Sequence, residues 1–239
     1  MPLFRLSNDL IFPPAQFARP DGLLCIGGDL SSDRLLLAYQ NGIFPWFSKN
    51  DPLLWWSPDP RLVLFPGNIH VSRSLKKTIR RSGFKVRINT AFEPTIQACA
   101  KLRQNDDCGT WLLDEMIDAY IMLHRLGAAH SVETWLDGTL VGGLYGIGMG
   151  KSFFGESMFS LQADASKVAL VALSNYLNRF GFDLIDCQIT SDHMLSMGAE
   201  EISRTVFLDI LSTSVNQVVP EDIWASKQIQ CNGLTKAMD

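Results

Sequence analysis

The apolar positions change period along the chain, and each change marks an element. Short apolar or alternating runs predict strands at Lys85–Asn89, His130–Asp137, Leu140–Ile147, Lys151–Phe159 and Phe182–Ile189. Gly22–Asp29 reads as a short buried strand that ends in a glycine turn. Three-to-four-residue spacing predicts helices over Asp33–Asn41, Glu93–Arg103 and Leu113–Leu126. A longer helix runs from Asp164 to Phe180, with Leu170, Leu173, Leu177 and Phe180 along one face, and Gly181 ends it. Ser191–Leu195 and Arg204–Leu211 also read as helical. Residues 219–239 are polar apart from Ile223, Trp224 and Leu234, which predicts chain trailing along the surface.

The densest pattern is Leu140–Ser160, LVGGLYGIGMGKSFFGESMFS. Two strand-like runs flank a Gly-Met-Gly turn, where Gly148 and Gly150 permit positive φ. Gly142, Gly143 and Gly146 lie inside the first run. Glycine there marks a bulge, or a close approach of ligand or backbone. The second run places one carboxylate, Glu156, among aromatic and sulfur side chains. Such an acid is hydrogen-bonded or paired, or its pKa rises; the alternative is a strand-end Glu facing water. In Leu184–Ile189, Asp186 and Gln188 lie two apart and so project from one face. An acid and an amide so placed can form a relay; the alternative is an edge position facing water. Cys187 points to the other face and has nothing beside it in sequence to lower its pKa, so it reads as a buried thiol. His193 is available as a base, yet a lone His after a strand also serves structure, and no GxSxG elbow accompanies it.

Composition sharpens this picture in three places. Trp46, Trp55 and Trp56 fall within eleven residues, set among prolines. Proline-stiffened aromatic loops serve as stacking platforms for bases, or else pack a small domain. The net charge of −4 makes no global case for nucleic acid, but seven of the 21 basic residues fall between Arg73 and Arg87. No acid occurs from Arg61 to Phe92. Arg73, Lys76, Lys77 and Arg80 share one helical face, with Arg81 beside them, and Leu75 and Ile79 occupy another. A one-sign face of this kind reads as a contact for a polyanion. The five cysteines form no CxxC pair and the four histidines no ligand spacing. Free thiols in a reducing cytoplasm, and no metal, are the expectations. No stretch reaches the roughly 20 apolar residues of a membrane span.

The element order is helices, an antiparallel three-strand run, a helix, then a strand. It predicts an α/β (α+β) fold with a mixed sheet of the acetyltransferase (GNAT) type, with residues 1–61 as a small amino-terminal domain and 62–239 as the catalytic one. GNAT enzymes place coenzyme A pyrophosphate on a glycine-bearing turn between strand and helix. Here that turn would fall in Ser160–Ala165, which has no glycine and carries Asp164. A GNAT-like sheet without that turn, with a basic helix and exposed tryptophans, points to aminoacyl-tRNA as the acyl donor. A CoA-dependent acyltransferase and an RNA-binding protein without chemistry are the competing classes.

Read in order, GIFPWF (42–47), WWSPDPR (55–61), GTW (109–111), GGLYG (142–146), FFGESMFS (153–160), ASKVAL (165–170) and LIDCQ (184–188) resemble the leucyl/phenylalanyl-tRNA–protein transferase family. The resemblance implies a GNAT-like catalytic domain behind a small amino-terminal one. It implies transfer of Leu or Phe, and less well Met, from charged tRNA to proteins beginning with Arg or Lys, marking them for N-degron degradation. It implies that Gln188, assisted by Asp186, helps deprotonate the acceptor amine, and that Glu156 is the acid of the reaction centre. Trp46 and Trp111 would lie near the terminal adenosine and the acceptor. Leu144, Met158, Leu173 and Ile185 would line the donor pocket. Arg73, Lys76, Lys77, Arg80 and Arg81 remain the expected tRNA contacts. A cytoplasmic monomer without cofactor completes the expectation.

Overall fold

A computed structural model describes residues 3–103 and 112–229. Four short strands, β1 (Phe4–Leu6), β2 (Leu23–Gly27), β3 (Phe44–Pro45) and β4 (Leu54–Trp56), form a small sheet in the order β1-β2-β4-β3. Helix α1 (Ser32–Gln40) lies between β2 and β3, and its first turn is capped by the Ser31 hydroxyl, which accepts from the Arg34 amide. The chain then enters a second, eight-stranded sheet through β5 (Arg61–Leu64).

The remaining elements follow in order: α2 (Arg73–Arg81), β6 (Lys85–Ile88), α3 (Phe92–Arg103), α4 (Asp114–Arg125), β7 (Ala129–Leu136), β8 (Thr139–Met149), β9 (Ser152–Ser160), α5 (Ala165–Arg179), β10 (Leu184–Gln188), α6 (Asp192–Ser196), β11 (Glu200–Ile202), α7 (Arg204–Ser214) and β12 (Lys227–Ile229). The large sheet reads β11-β5-β10-β9-β8-β7-β6-β12. Its centre is the expected antiparallel meander β7-β8-β9, followed by a crossover through α5 to β10, which pairs with β9 in parallel. The mixed α/β sheet predicted from the element order is therefore present.

Period-two alternation sorts the strand residues onto two cores. Leu144, Phe153 and Ile185 face α5 and α2, while their chain neighbours Tyr145, Phe154 and Leu184 face the other side. That second side holds α1, α3, α4, α7 and the small sheet. Gly142 shows why β8 is rich in glycine: a Cβ there would lie 2.5 Å from the Ala165 Cβ, so the absent side chain lets α5 start directly against the strand.

Three features depart from expectation. The β8–β9 turn is tighter than Gly-Met-Gly: Gly150 alone of its glycines takes a positive φ, 54°. The segment Arg61–Leu64 is a buried strand, hidden in sequence because it follows a proline-rich stretch and is buried at every position instead of alternating. Residues 219–229 do not trail: Ile223 is buried, Trp224 stacks on His130 with ring centroids 4.1 Å apart, the Tyr176 hydroxyl donates to the Ile223 carbonyl at 2.5 Å, and β12 extends the sheet beside β6. Two apolar side chains, a hydrogen bond to the Ile223 carbonyl and strand pairing together tie this polar segment down.

Candidate active site

The two central polar candidates stand at irregularities of adjacent strands. In the β8–β9 ladder Tyr145 pairs with Ser157 and Gly146 with Gly155, so Glu156 is an extra, unopposed residue. In the β10–β5 ladder Asp186 pairs with Val63 and Gln188 with Leu62, so Cys187 is the extra one. Bulges re-aim side chains and recur beside active sites. Gln188 adopts φ 59°, a left-handed conformation that is uncommon for a residue with a side chain. The bulge brings its amide Nε2 to 3.3 Å from Glu156 Oε1, to which it donates. Simple alternation along β10 would not place it there.

Glu156 is held from the other side by two hydroxyls. Tyr39 of α1 donates to Oε1 at 2.8 Å, and Tyr120 of α4 donates to Oε2 at 2.7 Å. The two hydroxyl oxygens are themselves 2.5 Å apart. Burial pushes the Glu156 pKa up to about 7, opposed by the Tyr120 and Tyr39 hydrogen bonds. Neither tyrosine was legible as a site residue, since each occupies an apolar helix position that reads as core.

Asp186 is enclosed, with no exposed surface. Its carboxylate accepts from Arg61 Nε at 2.8 Å and Nη2 at 2.6 Å, a bidentate pair, and from the Gln188 backbone N–H at 3.0 Å. The contact between Asp186 and Gln188 is thus carboxylate to backbone, while the Gln188 amide turns to Glu156. The Arg61 Nη1 donates to the Gly42 carbonyl at 3.2 Å, and the guanidinium lies 4.5 Å from the Phe207 ring centroid and 4.9 Å from that of Phe44. Arg61 therefore ties the bulge of β10 to the loop that leads to Trp46. Burial, and next the Asp186 charge, push the Cys187 thiol up, which leaves it a poor nucleophile.

Glu156 and Gln188 look into a cavity of about 360 Å³. Leu144, Met158, Leu173 and Ile185 all line it, with Phe153 and Leu170 adding further apolar surface. Trp46 stands at its wall, 41% exposed, and the Trp56 indole N–H donates to the Trp46 carbonyl at 2.6 Å. Its neighbour Trp55 has the other fate that such residues meet: it is fully buried, with its N–H donating to the Gly27 carbonyl. His193 also lines the cavity, and burial followed by the Lys167 charge lowers its pKa. Trp111 lies outside the described residues. An apolar cleft with a few convergent polar groups is the usual form of a small-molecule subsite.

The basic helix lies nearby in the fold. Leu75 and Ile79 of α2 are buried, while Arg73, Lys76, Lys77, Arg80 and Arg81 line one surface pocket of about 300 Å³. None of these five makes an ion pair among the described residues. The Thr78 hydroxyl donates to Asp164 Oδ2 at 3.0 Å, fixing α2 to the start of α5, the helix whose Leu170 and Leu173 line the cavity. Among the described residues no group of His, Cys, Asp and Glu could hold a metal ion, and no helix is long and apolar enough to cross a membrane. Cys25 and Cys187 are free thiols.

Comparison with known proteins bears on what such a site does. A family model described as leucyl/phenylalanyl-tRNA protein transferase matches residues 63–212, and the model of that family's N-terminal domain matches residues 28–59. A leucyl/phenylalanyl-tRNA–protein transferase of Desulforapulum autotrophicum is 58% identical over 224 residues, covering 94% of this chain and 98% of its own. Another, of Syntrophobacter fumaroxidans, is 55% identical over 224 residues, covering 94% and 96%. Among solved structures, a GCN5-related N-acetyltransferase from Kribbella flavida matches at 13% identity and a TM-score of 0.35, over 70% of this chain and 60% of that one. With both family models matched and relatives above half identity over nearly the whole chain, this protein belongs to the leucyl/phenylalanyl-tRNA–protein transferase family of aminoacyltransferases.

Proposed function

We propose that the protein moves Leu or Phe, and less well Met, from aminoacyl-tRNA onto proteins with amino-terminal Arg or Lys, marking them for N-degron degradation in the cytoplasm. In this reading residues 1–61 form a small domain that presents Trp46, and residues 62–239 form the transferase domain. The protein works as a monomer and needs no cofactor. The observation that carries the reading is the apolar cavity closed at one wall by Glu156 and Gln188.

The donor side chain fills the cavity among Leu144, Met158, Leu173 and Ile185. The terminal adenosine stacks near Trp46 and Trp111, and the tRNA phosphates meet Arg73, Lys76, Lys77, Arg80 and Arg81. Phosphate contacts of that kind position a nucleic acid without reading its sequence. The ester of a charged tRNA is already activated, so holding the amine against its carbonyl supplies much of the acceleration, worth roughly 7–11 kcal/mol in well-oriented systems.

A free α-amine has an ordinary pKa of about 7.7–8.0, so at neutral pH it must shed a proton to solvent before it attacks. The Gln188 carbonyl oxygen accepts a hydrogen bond from that amine. Once the amine is neutral, Glu156, with a pKa raised to about 7, is matched to take the second proton, the one the nitrogen gives up as it attacks. Asp186 and Arg61 hold the Gln188 backbone in its bulged conformation. The test is mass spectrometry of an Arg-start peptide incubated with the protein and Leu- or Phe-charged tRNA. Addition of one Leu or Phe residue at the peptide amino terminus is expected. An unmodified peptide with tRNA still bound would overturn the reading.

A further inference from the structure

Three oxygen–oxygen contacts close a ring around Glu156: Tyr39 to Tyr120 at 2.5 Å, Tyr39 to Oε1 at 2.8 Å and Tyr120 to Oε2 at 2.7 Å. Each contact needs one hydrogen, and each tyrosine hydroxyl carries one. With Glu156 ionised, two hydrogens serve three contacts, and the two hydroxyl oxygens face each other with nothing between them. With Glu156 protonated the count closes: the carboxyl donates to Tyr120, Tyr120 to Tyr39, and Tyr39 back to the other carboxyl oxygen. The ring has room for one added proton and a place for it.

We infer that Tyr39, Tyr120 and Glu156 form one proton-holding unit, in which the two tyrosines are positioning residues that let Glu156 accept the acceptor amine's proton and pass it to the departing ribose oxygen. The inference rests on the transfer reaction proposed above and adds where its proton goes. As the bond forms from the acceptor nitrogen to the aminoacyl carbonyl carbon, the nitrogen gives its proton to Glu156. As the carbon–oxygen bond to the ribose breaks, that oxygen takes the proton from Glu156, and the carboxylate is restored. Asp186 is unsuited to this work: it has no exposed surface, and Arg61 and the Gln188 N–H occupy both its oxygens.

Other charged and titratable groups bias the unit from several elements. Arg61 of β5 favours the carboxylate, while Asp186 of β10 and burial favour the acid. Tyr145 of β8 packs edge-on against Tyr120, with ring centroids 5.5 Å apart. Within this balance the two hydroxyls stabilise the charged form, because each donates to it. Taking away either one leaves the acid with a remaining hydroxyl to donate to and the carboxylate with one donor fewer.

The experiment follows single-turnover transfer from Leu-charged tRNA to an Arg-start peptide between about pH 5.5 and 9, in the wild type, Tyr39→Phe and Tyr120→Phe. In the wild type the acidic limb of the profile, after division by the neutral fraction of the acceptor amine, falls near the Glu156 value of about 7. Each Phe variant is expected to move that limb up by about one unit, and so to react roughly tenfold slower near pH 6 while approaching the wild-type rate at pH 9. Binding of tRNA should be unchanged. A second readout needs no reaction: the infrared carboxyl band of the free protein that disappears in Glu156→Gln should titrate in step with the limb and move up with it in both variants. A slower rate with limb and band both unmoved would overturn the inference and leave the tyrosines as packing. A wild type that never transfers would sink the transfer reading alone, because the infrared titration still decides the ring.

Discussion

The two carboxylates of the β9–β10 pair, one enclosed and one half-buried, make an instructive contrast. Asp186 meets a bidentate guanidinium and a backbone N–H, and it has no exposed surface. Glu156 meets two neutral hydroxyls and an amide, and it lines the cavity. One carboxylate is locked to a permanent countercharge; the other is surrounded by dipoles that tolerate either protonation state. Environment, and not residue type, separates an anchor from a group that exchanges protons.

The largest expected effect comes from breaking the anchor. Asp186→Ala leaves Arg61 buried without its countercharge, at a cost of about 3–5 kcal/mol. The urea midpoint should fall accordingly and transfer should be lost. Replacing both partners, as in Arg61→Met with Asp186→Leu, should recover most of that stability, because buried ion pairs exchange well for apolar pairs of similar volume. It should not recover transfer, because the Gln188 N–H loses its acceptor. Activity returning together with stability would show that Asp186 serves the fold alone.

Glu156→Gln should behave in the opposite way. Transfer should drop by about 10²–10⁴, the usual share of general acid–base catalysis, with tRNA binding intact. Stability should respond to pH with a definite sign. The folded pKa of Glu156, about 7, lies above its ordinary 4.5, so the group's favourable contribution is complete below about pH 4.5 and is lost as pH rises through 7. The variant lacks this loss. Relative to the wild type it should gain on the order of 2–3 kcal/mol between pH 4.5 and 8, read from denaturation midpoints.

His130 gives the comparison a basic counterpart. Burial lowers its pKa to about 3, so it contributes stability above its ordinary 6.5 that is lost as pH falls below that value. Acid unfolding should start with loss of the Trp224 stack, which tryptophan fluorescence reports. The smallest effect concerns a surface charge. Lys77→Gln on α2 should weaken tRNA binding evenly across tRNA species and flatten its salt dependence by about one unit of slope. An unaltered slope would remove Lys77 from the interface.

Much of this architecture was legible in the chain. Gly142 and the Gly150 turn announced the β8–β9 hairpin, and the Leu170, Leu173 and Leu177 stripe announced α5, since both signals come from backbone sterics and periodicity. Glu156, Asp186 and Gln188 stood out because polar groups inside apolar strands must find partners. The partners themselves were hidden. Arg61 closes a proline-rich motif and sits in a strand without alternation. Tyr39 and Tyr120 are 81 positions apart and occupy ordinary core positions of two helices. Bulges at Glu156 and Cys187 shift the ladder by one residue, which no period-two count can register. Local pattern reveals which side chains need company, and only the tertiary fold supplies it.

The central claim is a division of labour between Glu156 and Asp186, and the pH profile of single-turnover transfer in Glu156→Gln tests it most directly. The claim predicts that the acidic limb near pH 7 disappears and that the small remaining rate follows only the titration of the acceptor amine. A variant that keeps the limb at its wild-type position would show that the proton leaves by another group, and would contradict the claim.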